Sequence, residues 1–432
     1  MSALNSAISQ IERRRRESAL GSEAVRDFYE RIPYPTPLTS LDEFVQMPGK
    51  AERRRALFHR MWPTKRPSAN QQILIAGCGT SQAARYALSE PDARVTAIDI
   101  SAASLRHTSV LQRRYDLDNL ELYQLSIERI QELGRAFDLI VCTGTLHHLP
   151  DPDFGLRALR QVLRATGAMS LMVYATYGRA GIYLMQEYCR LLGIGTSDRD
   201  LQELGAALGT LSADHPIADL LRRTKDFRRP QAVADALLHP QDRSYTVPEL
   251  YAWLGRSDLS FGRWLEQAPY LPQCGSLARS PHAARLAALP EHAQHAAAEL
   301  FRGTMTRHRF IAYASESVAA DQRIRFTGER WRQYVPLRLA WARCIREHVP
   351  PSSVAVLLNP ADEYPDLILP ISSAEDRLLA LMDGQRTLGE IVQSCATNQG
   401  AVRALQFFEQ LWQYDQIVFD ISCAGAANSI TA

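Results

Sequence analysis

Apolar residues between positions 71 and 176 follow two alternating patterns. Short apolar runs occupy residues 73–76, 95–98, 120–125, 137–143 and 168–175. The stretches between them repeat their apolar positions every three or four residues, which is typical of helices with one buried face. The run 137–143 is almost unbroken, as in a strand that is buried on both faces. This alternation predicts a parallel, doubly wound α/β sheet.

Residues at the ends of these runs predict helix boundaries. Ser101 can cap a helix that continues to about Tyr115. Asp151 and Pro152 supply a cap and a first-turn proline for the helix before the fifth strand. Gly167 is expected to end that helix, because glycine is frequent just past helix C-termini.

The chain beyond residue 176 predicts an insertion followed by two more strands. Residues 178–243 have helical periodicity and no clear strand pattern. Strand patterns return at 259–264 and 309–314, with a helix near 284–301 between them. Taken as the sixth and seventh strands, they complete a Rossmann-like, doubly wound, seven-stranded sheet.

Both ends of the chain differ in pattern from this α/β region. Pro33, Pro35 and Pro37 force an extended path in an N-terminal segment that is otherwise helical, including a helix at 51–62. Near the C-terminus, three helical patterns and one strand pattern predict a small α+β, winged-helix-like domain, at 374–382, 387–394, 401–412 and 416–421. The expected parts are a helical and proline-rich segment at 1–66, an α/β domain at 67–320 with a helical insertion at 177–245, and an accessory domain at 321–432 whose tail, 424–432, is frayed.

The composition excludes several classes of protein. The 432 residues are 46% hydrophobic and 22% charged, which predicts a globular fold. A net charge of +2 argues against a protein that coats nucleic acid. Because no apolar run reaches the roughly 20 residues of a membrane span and the N-terminus lacks a signal-peptide pattern, we expect a soluble, cytoplasmic protein. The seven cysteines form no CxxC pair, so neither a zinc site nor a disulfide framework is expected.

The first predicted strand ends in a glycine turn, and the second ends in an acid. Gly77 and Gly79 let a ligand approach the backbone, and Asp99 follows 20 residues later, where a carboxylate can accept hydrogen bonds from both hydroxyls of a ribose. The alternative for Asp99 is a helix-capping role. A dinucleotide-binding loop would carry a third glycine where this chain has Gln82, which argues against a nicotinamide cofactor.

With these features, residues from about 71 to 176 resemble the class I S-adenosylmethionine-dependent methyltransferases, in a bacterial subgroup with a C-terminal accessory domain. The stretches that carry the resemblance are Ala76-Gly77-Cys78-Gly79-Thr80, residues 95–101, residues 137–142, Leu146-His147-His148-Leu149-Pro150-Asp151-Pro152 and residues 163–169. They lie within about a quarter of the chain.

The resemblance implies S-adenosylmethionine as the cofactor and a set of residues that bind it. In that set Gly77, Cys78 and Gly79 border the methionine part, Asp99 binds the ribose, Ile100 lies against the adenine, Ser126 and Ile127 flank the other edge of the adenine, and Cys142 and Thr143 lie under the sulfonium. Three positions depart from the family pattern: many members have an acid at Ala76, a glycine at Ser81 and an acid at Ser126. We therefore expect weaker adenine contacts.

Residues after the fourth and fifth strands are candidates for activating or binding a methyl acceptor. His147 or His148 could act as a general base, with a loop-packing role as the alternative. Arg179 could bind a carboxylate or phosphate, with Tyr177 and Tyr183 as walls of a pocket. The alternative for these three residues is a salt bridge and ordinary helix packing.

Three further segments carry hypotheses. Residues 25–35 resemble a segment that precedes the cofactor domain in the same subgroup, and Tyr34 could contact cofactor or substrate, or form a packing corner. Residues 378–391 look like the small helical fold that binds leader peptides in peptide-modifying systems, with a structural or dimer contact as the alternative. The run Arg13–Arg16 is interpreted as a solvated helix end, or alternatively as a site for RNA or another anionic partner.

These observations predict methyl transfer from S-adenosylmethionine to an unidentified small-molecule or peptide/protein acceptor. An in-line displacement needs no general acid, because the leaving group is a neutral thioether, so alignment of the acceptor is the main requirement. The alternatives are a catalytically inert protein of the same fold that serves as a binding partner or scaffold, and a nicotinamide-dependent oxidoreductase. Neither a nucleic-acid partner nor a membrane is expected, and the oligomeric state is left open.

Overall fold

The computed structural model describes residues 22–394 and 398–423. The arginine run at 13–16 and the tail at 424–432 lie outside the described residues. Among the described residues, no helix combines the length and the apolar character that are needed to span a membrane.

The elements alternate between strands and helices over the first half of the chain. The strands are β1 Gln72–Ala76, β2 Arg94–Asp99, β3 Leu120–Gln124, β4 Phe137–Thr143, β5 Leu163–Ala175, β6 Ser244–Tyr245, β7 Ser260–Trp264, β8 Arg307–Tyr313, β9 Val335–Arg338, β10 Arg343–Ile345, β11 Ala355–Leu358, β12 Ile368–Ile371 and β13 Ile417–Asp420. The helices are α1 (residues 22–31), α2 Asp42–Val45, α3 Lys50–Met61, α4 Gln82–Ser89, α5 Ala102–Arg114, α6 Pro152–Gln161, α7 Ala180–Leu192, α8 Asp198–Gly209, α9 Ala218–Arg223, α10 Pro230–Leu237, α11 Val247–Arg256, α12 Gly275–Ala278, α13 Ala283–Ala287, α14 Glu291–Arg302, α15 Glu316–Asp321, α16 Ser373–Ala380, α17 Leu388–Gln393 and α18 Asn398–Gln413.

The chain divides into two compact units, each assembled from several segments. Of the described residues, unit 1 contains 22–46, 70–258 and 303–308, and unit 2 contains 47–69, 259–302, 309–394 and 398–423. The predicted domain boundaries at residues 66 and 320 stay predictions.

Unit 1 contains β1 to β5, the parallel strands of the predicted sheet, whereas β7 pairs antiparallel with β8. Within unit 1, β1 lies between β2 and β4, β3 borders β2, and β5 borders β4, all parallel. The strand order of the large sheet is β3-β2-β1-β4-β5-β8-β7, with the short β6 also beside β5. The doubly wound, Rossmann-like sheet of seven strands is therefore confirmed, and β6 is an additional strand that the sequence pattern did not reveal.

Two helix boundaries of unit 1 test the predicted caps. The Ser101 hydroxyl accepts a hydrogen bond from the amide of Ser104, and the Asp151 carboxylate accepts one from Phe154, so both caps are confirmed. The prediction that Gly167 ends α6 was wrong, because α6 ends at Gln161 and β5 begins at Leu163. The register between β4 and β5 shifts near the start of both strands, so the first residues of β5 form an irregular stretch that disguises the strand pattern.

The segment between β5 and β6 is helical, as predicted. Helices α7 to α10 enclose a small apolar core of their own, which includes Ile182, Leu204, Ile217 and Leu237. This core fixes α10 as a rigid element, so the side chains of α10 have defined positions in unit 1.

The elements of unit 2 differ from the sequence predictions in two places. The helix predicted at 284–301 is two helices, α13 and α14, since Pro290 lies between them and cannot continue α13. Residues 335–371 contain four strands that the sequence pattern did not predict. These strands have three or four residues each, and Pro336 and Pro370 interrupt their apolar alternation.

The three helices and the closing strand predicted near the C-terminus are confirmed as α16, α17, α18 and β13. In unit 2, β13 pairs antiparallel with β9, and β10, β11 and β12 form an antiparallel sheet. The winged-helix-like classification of this region stays a prediction.

Candidate active site

The carboxyl ends of four parallel strands bring the predicted site residues to one edge of the sheet in unit 1. In the order of the strands, this edge carries Asp99 at the end of β2, the turn Gly77–Gly79 after β1, Thr143 at the end of β4 and Tyr174 near the end of β5. Ligands of open α/β sheets bind outside this edge, where the strand order reverses. Here the reversal lies between β1 and β4.

The glycine turn has a conformation that favours glycine at both positions. Gly77 has a φ of 69° and Gly79 a φ of 56°, both in the left-handed region. The amides of Gly77 and Cys78 donate hydrogen bonds to the carbonyl of Ile98, each of 3.0 Å, which ties the turn to β2. A side chain at Gly77 would overlap Thr145, so this glycine admits the loop after β4.

Asp99 lies between the turn and the start of α5. Its two carboxylate oxygens accept hydrogen bonds from the amides of Gly79 at 2.8 Å and Ser101 at 2.9 Å. Burial raises the pKa of this carboxyl, and the amide hydrogen bonds oppose that shift. Each carboxylate oxygen has a second lone pair, so Asp99 can still accept from two ligand hydroxyls while it holds the turn. The interpretation as a helix cap is incomplete, because Asp99 also bonds to Gly79.

Some of the other predicted cofactor residues are partly exposed at the edge of the sheet, and the rest are buried. Ile100, Ser126 and Thr143 are partly exposed at the edge of the sheet, and the side-chain amide Nε2 of Gln82 donates to the Thr143 hydroxyl at 3.3 Å. The side chains of Cys78, Ile127 and Cys142 are buried in the core. Burial also raises the pKa of the Cys142 thiol to about 12. These three residues therefore present only backbone atoms to the edge.

Residues before the sheet pack against the glycine turn. The Thr80 hydroxyl donates to the carbonyl of Pro35 at 2.8 Å, and a Cβ atom at Gly79 would lie 3.2 Å from Pro35 Cδ. The predicted N-terminal segment thus contacts the turn itself. Tyr34 is partly buried beside it, and burial followed by the charge of Asp235 raises the pKa of its hydroxyl.

Comparison with known proteins agrees with this geometry. Residues 74–169 match a family described as a methyltransferase domain. Residues 74–169 are therefore a methyltransferase domain of the class I, S-adenosylmethionine-dependent type. An uncharacterised protein of a Synechococcus species is 39% identical over 199 residues, which are 44% of this chain and 47% of that protein. A ubiquinone biosynthesis O-methyltransferase of Albidiferax ferrireducens is 32% identical over 103 residues, 23% of this chain and 40% of that protein. The chain thus spans less than half the length of these relatives.

A solved structure matches more of the chain. PKMT2 from Rickettsia typhi in complex with AdoHcy aligns with a TM-score of 0.58 at 14% identity, over 85% of this chain and 75% of that chain. A match at this identity shows the shared fold. The cofactor that the methyltransferase domain implies is S-adenosylmethionine, and the glycine turn at the strand-order reversal and the remaining acceptor capacity of Asp99 fit it.

Unit 1 holds Arg179 in a buried ion pair, near the edge of the sheet where an acceptor is predicted to bind. Its guanidinium contacts Asp242 at 2.8 Å, with both side chains at most 5% exposed. The same group lies over the ring of Tyr174 at 3.5 Å and donates to the Tyr183 hydroxyl at 3.3 Å. Tyr177 is exposed. Arg179 is thus already paired within the protein, which is the structural alternative that its sequence position left open.

His147 and His148 lie together under Tyr174 in the methyltransferase domain. The ring centre of His147 is 3.9 Å from that of Tyr174, and His148 stacks on His239 at 3.7 Å. Nδ1 of His148 lies 2.6 Å from the carbonyl of Gln241, whereas neither ring nitrogen of His147 has a hydrogen-bond partner among the described residues. Burial lowers the pKa of both histidines, to about 3 for His148, so both rings are neutral near pH 7.

Asp235 is the main residue that the sequence reasoning missed. It lies in α10, and its carboxylate accepts hydrogen bonds from the hydroxyls of Tyr29 at 2.9 Å and Tyr174 at 3.4 Å. Burial raises its pKa to about 6. The available signal was an acid within the apolar run 232–237, although its partner Tyr29 is 206 residues away. The described residues contain no group of three or more His, Cys, Asp or Glu side chains that could hold a metal ion.

Proposed function

We propose that the protein transfers a methyl group from S-adenosylmethionine to a small-molecule or peptide/protein acceptor. The observation that carries the proposal is the pairing of Asp99 with the amide of Gly79, because it sets a carboxylate that could accept from ribose hydroxyls beside a glycine turn at the reversal point of the sheet. When bound, S-adenosylmethionine supplies an electrophilic methyl group on a sulfonium. The matches to methyltransferases support the same activity.

The strand order suggests how the site is divided. Asp99 on β2 marks the ribose side, with Ile100, Ser126 and the backbone of Ile127 next to it for the adenine. The backbone of residues 77–79 and of 142–143 would hold the methionine end. The acceptor then approaches over β4 and β5, where His147 and Tyr174 lie. Tyr34, Tyr177 and Tyr183 remain candidate acceptor contacts.

His147 is the candidate to take a proton from an acceptor hydroxyl or amine, because neither of its ring nitrogens has a hydrogen-bond partner among the described residues. Burial lowers the pKa of His147, so the ring is neutral but weakly basic, and proton transfer to it requires that the bound acceptor stabilise the imidazolium. His148 is a poorer candidate, since its Nδ1 lies 2.6 Å from the carbonyl of Gln241. The low exposure of His147, 1%, requires that an acceptor bind beside Tyr174 to reach it.

The direct test supplies methyl-labelled S-adenosylmethionine to the purified protein and a native lysate, followed by mass spectrometry of the labelled products. A labelled product formed with the wild type and not with Asp99→Ala supports the proposal. An inert binding protein would bind the cofactor in a titration without labelling anything. A nicotinamide enzyme would instead copurify with a chromophore that absorbs near-ultraviolet light.

A further inference from the structure

We propose that Asp235 is a positioning residue that holds the N-terminal strap, defined as residues 28–37, against the cofactor turn. The inference rests on the proposed function, since it assigns the strap and the helical insertion a shared role at that site. Asp235 itself contacts the strap and Tyr174, and it acts on the turn only through the strap.

The strap reaches the cofactor turn and its neighbours through hydrogen bonds at both of its ends. At one end, the carbonyl of Tyr29 accepts from the Ser101 hydroxyl at 3.4 Å, next to Asp99. At the other end, the carbonyl of Pro35 accepts from Thr80 at 2.8 Å. Pro35 Cδ also lies where a side chain at Gly79 would point. The position of the strap therefore determines how much space lies over the turn.

The side chain of Tyr29 forms a hydrogen bond with Asp235, which lies outside the strap. The hydroxyl of Tyr29 donates to Oδ1 of Asp235 at 2.9 Å, and Asp235 is 4% exposed. Asp235 forms no ion pair with any described residue. A buried carboxylate without a cation is costly unless hydroxyls or amides satisfy it. The two tyrosine hydroxyls supply that compensation, and hydrogen bonds to an ionised acceptor are stronger than neutral ones.

The helical insertion gives this contact its rigidity. α10 packs on α7 and α8 through Val233, Ala236 and Leu237, which belong to the apolar core of the insertion. Phe28 and Ile32 of the strap region pack on Ala234 in the same helix. The insertion thus provides a fixed surface, and the Tyr29–Asp235 hydrogen bond selects one position of the strap on it.

The test measures affinity for S-adenosylhomocysteine and hydrogen exchange of the strap in Asp235→Asn, Tyr29→Phe and the double variant. Each single variant should weaken binding about tenfold, the size expected for losing a hydrogen bond to a charged acceptor. The double variant should lose no more than the worse single variant, because Tyr29→Phe removes and Asp235→Asn weakens the same hydrogen bond. Exchange should accelerate in peptides covering residues 22–37 and stay unchanged in β1 and β4.

Tyr123→Phe is the matched control, because Tyr123 donates to the carboxylate of Glu121 at 2.8 Å on β3, away from the strap. It should leave both readouts at wild-type values. A pH profile adds a readout that general destabilisation would not change. Burial raises the pKa of Asp235 to about 6, and the hydrogen bond from Tyr29 acts against that shift. The bond therefore favours the ionised carboxylate and weakens on protonation, so the advantage in affinity of the wild type over Asp235→Asn should shrink as the pH falls from about 7 to 5.

The other titratable groups that face Asp235 do not account for a change in affinity between pH 7 and 5. The facing groups are the hydroxyls of Tyr29, Tyr34 and Tyr174, whose pKa values are raised, the Arg179–Asp242 ion pair, and His147, His148 and His239, whose pKa values are lowered. Asp99 also has a raised pKa, but its contribution is common to the wild type and the variant.

Wild-type affinity and strap exchange in both single variants would overturn the assignment, as would additive losses in the double variant. Failure of the proposed function looks different. In that case the wild type itself does not bind S-adenosylhomocysteine, and the exchange of residues 22–37 in the two single variants still decides whether Asp235 holds the strap.

Discussion

At the scale of single residues, the glycine turn makes a sharp prediction. Gly79 and Gly134 have nearly equal φ values, 56° and 60°, so alanine at either position has a similar backbone cost, about 1–2 kcal/mol. Their surroundings differ, because a Cβ at Gly79 would lie 3.2 Å from Pro35 whereas nothing lies within 4 Å at Gly134.

We therefore expect Gly79→Ala to weaken binding of S-adenosylhomocysteine about tenfold and Gly134→Ala to leave it unchanged. Calorimetric titration of both variants, with thermal melts to compare their stability, measures the difference. Equal affinities in the two variants would mean that the contact between the strap and the turn has no influence on the site.

Residues that neighbour each other along the chain could be predicted, and residues that meet through the fold could not. The Gly77–Gly79 turn and Asp99 follow from strand ends, since parallel strands place their carboxyl ends together. The partners of Asp235 and Arg179 depend on how the insertion packs. Tyr29 is 206 residues from Asp235, and Asp242 is 63 residues from Arg179. No local pattern in the sequence encodes those distances.

At the scale of elements, the ion pair between Arg179 and Asp242 connects the turn before α7 to the loop after α10. Both side chains are at most 5% exposed, and removing one member of a buried pair leaves an uncompensated charge. We expect Arg179→Met to lower the free energy of unfolding by about 3–5 kcal/mol, and Arg179→Met with Asp242→Leu to lower it by less. Urea denaturation of both variants measures this.

The exposed pair of Arg129 and Glu132 is the control for that experiment. Their side chains are 65% and 52% exposed, so Arg129→Met should change the free energy of unfolding by less than about 1 kcal/mol. If Arg179→Met kept wild-type stability and lost only acceptor binding, Arg179 would be a ligand for the acceptor instead of a structural residue.

Elements with strong periodicity or caps were predicted with nearly correct ends, as α5 and β4 illustrate. The errors share a physical cause. The irregular start of β5 and the three- to four-residue strands β9 to β12 have too few alternating positions to identify a strand. Their pairing depends on partners that are distant in sequence, so propensity along the chain carries little information about them.

At the scale of the whole molecule, ion pairs join segments that are distant in sequence. One of them predicts how the stability of unit 2 depends on pH. In this unit Asp420 of β13 contacts Arg55 at 2.9 Å and His59 at 3.2 Å, both on α3. Burial opposes ionisation of Asp420, but hydrogen bonds from His59, Ser422 and Arg55 hold its pKa well below the usual value.

A depressed carboxyl pKa stabilises the folded state above the unfolded value of about 4, and this contribution is lost as the pH falls below it. We expect Asp420→Asn to lower the free energy of unfolding by about 1.5–3 kcal/mol at pH 7, and the difference from wild type to shrink toward pH 3. Asp376→Asn is the control, since the partner of Asp376, Arg346, is 56% exposed. A difference that persists unchanged at low pH would contradict this account.

The predicted accessory domain at 321–432 can be tested by truncation near Ala320. Inside unit 2, the buried carboxylate of Asp415 accepts from the amides of Gln267 and Ala268 and pairs with Arg263 at 3.1 Å. All three partners precede residue 321, so truncation removes the carboxylate that compensates two buried amides and the charge of Arg263, and we expect the shortened protein to lose solubility. A soluble truncation that binds S-adenosylhomocysteine normally would support the predicted boundary.

The central claim is that unit 1 binds S-adenosylmethionine at the edge marked by Asp99. Titration calorimetry of the wild type, Asp99→Ala and Asp138→Ala with S-adenosylhomocysteine tests it most directly. Asp138 is a matched acid, because it accepts the amide of Gln72 at 2.9 Å at the opposite end of the strands. We predict one site per chain in the wild type, unchanged affinity in Asp138→Ala, and a loss of about 1.5–3 kcal/mol in Asp99→Ala. Absence of binding to the wild type, or equal affinity in all three proteins, would contradict the account.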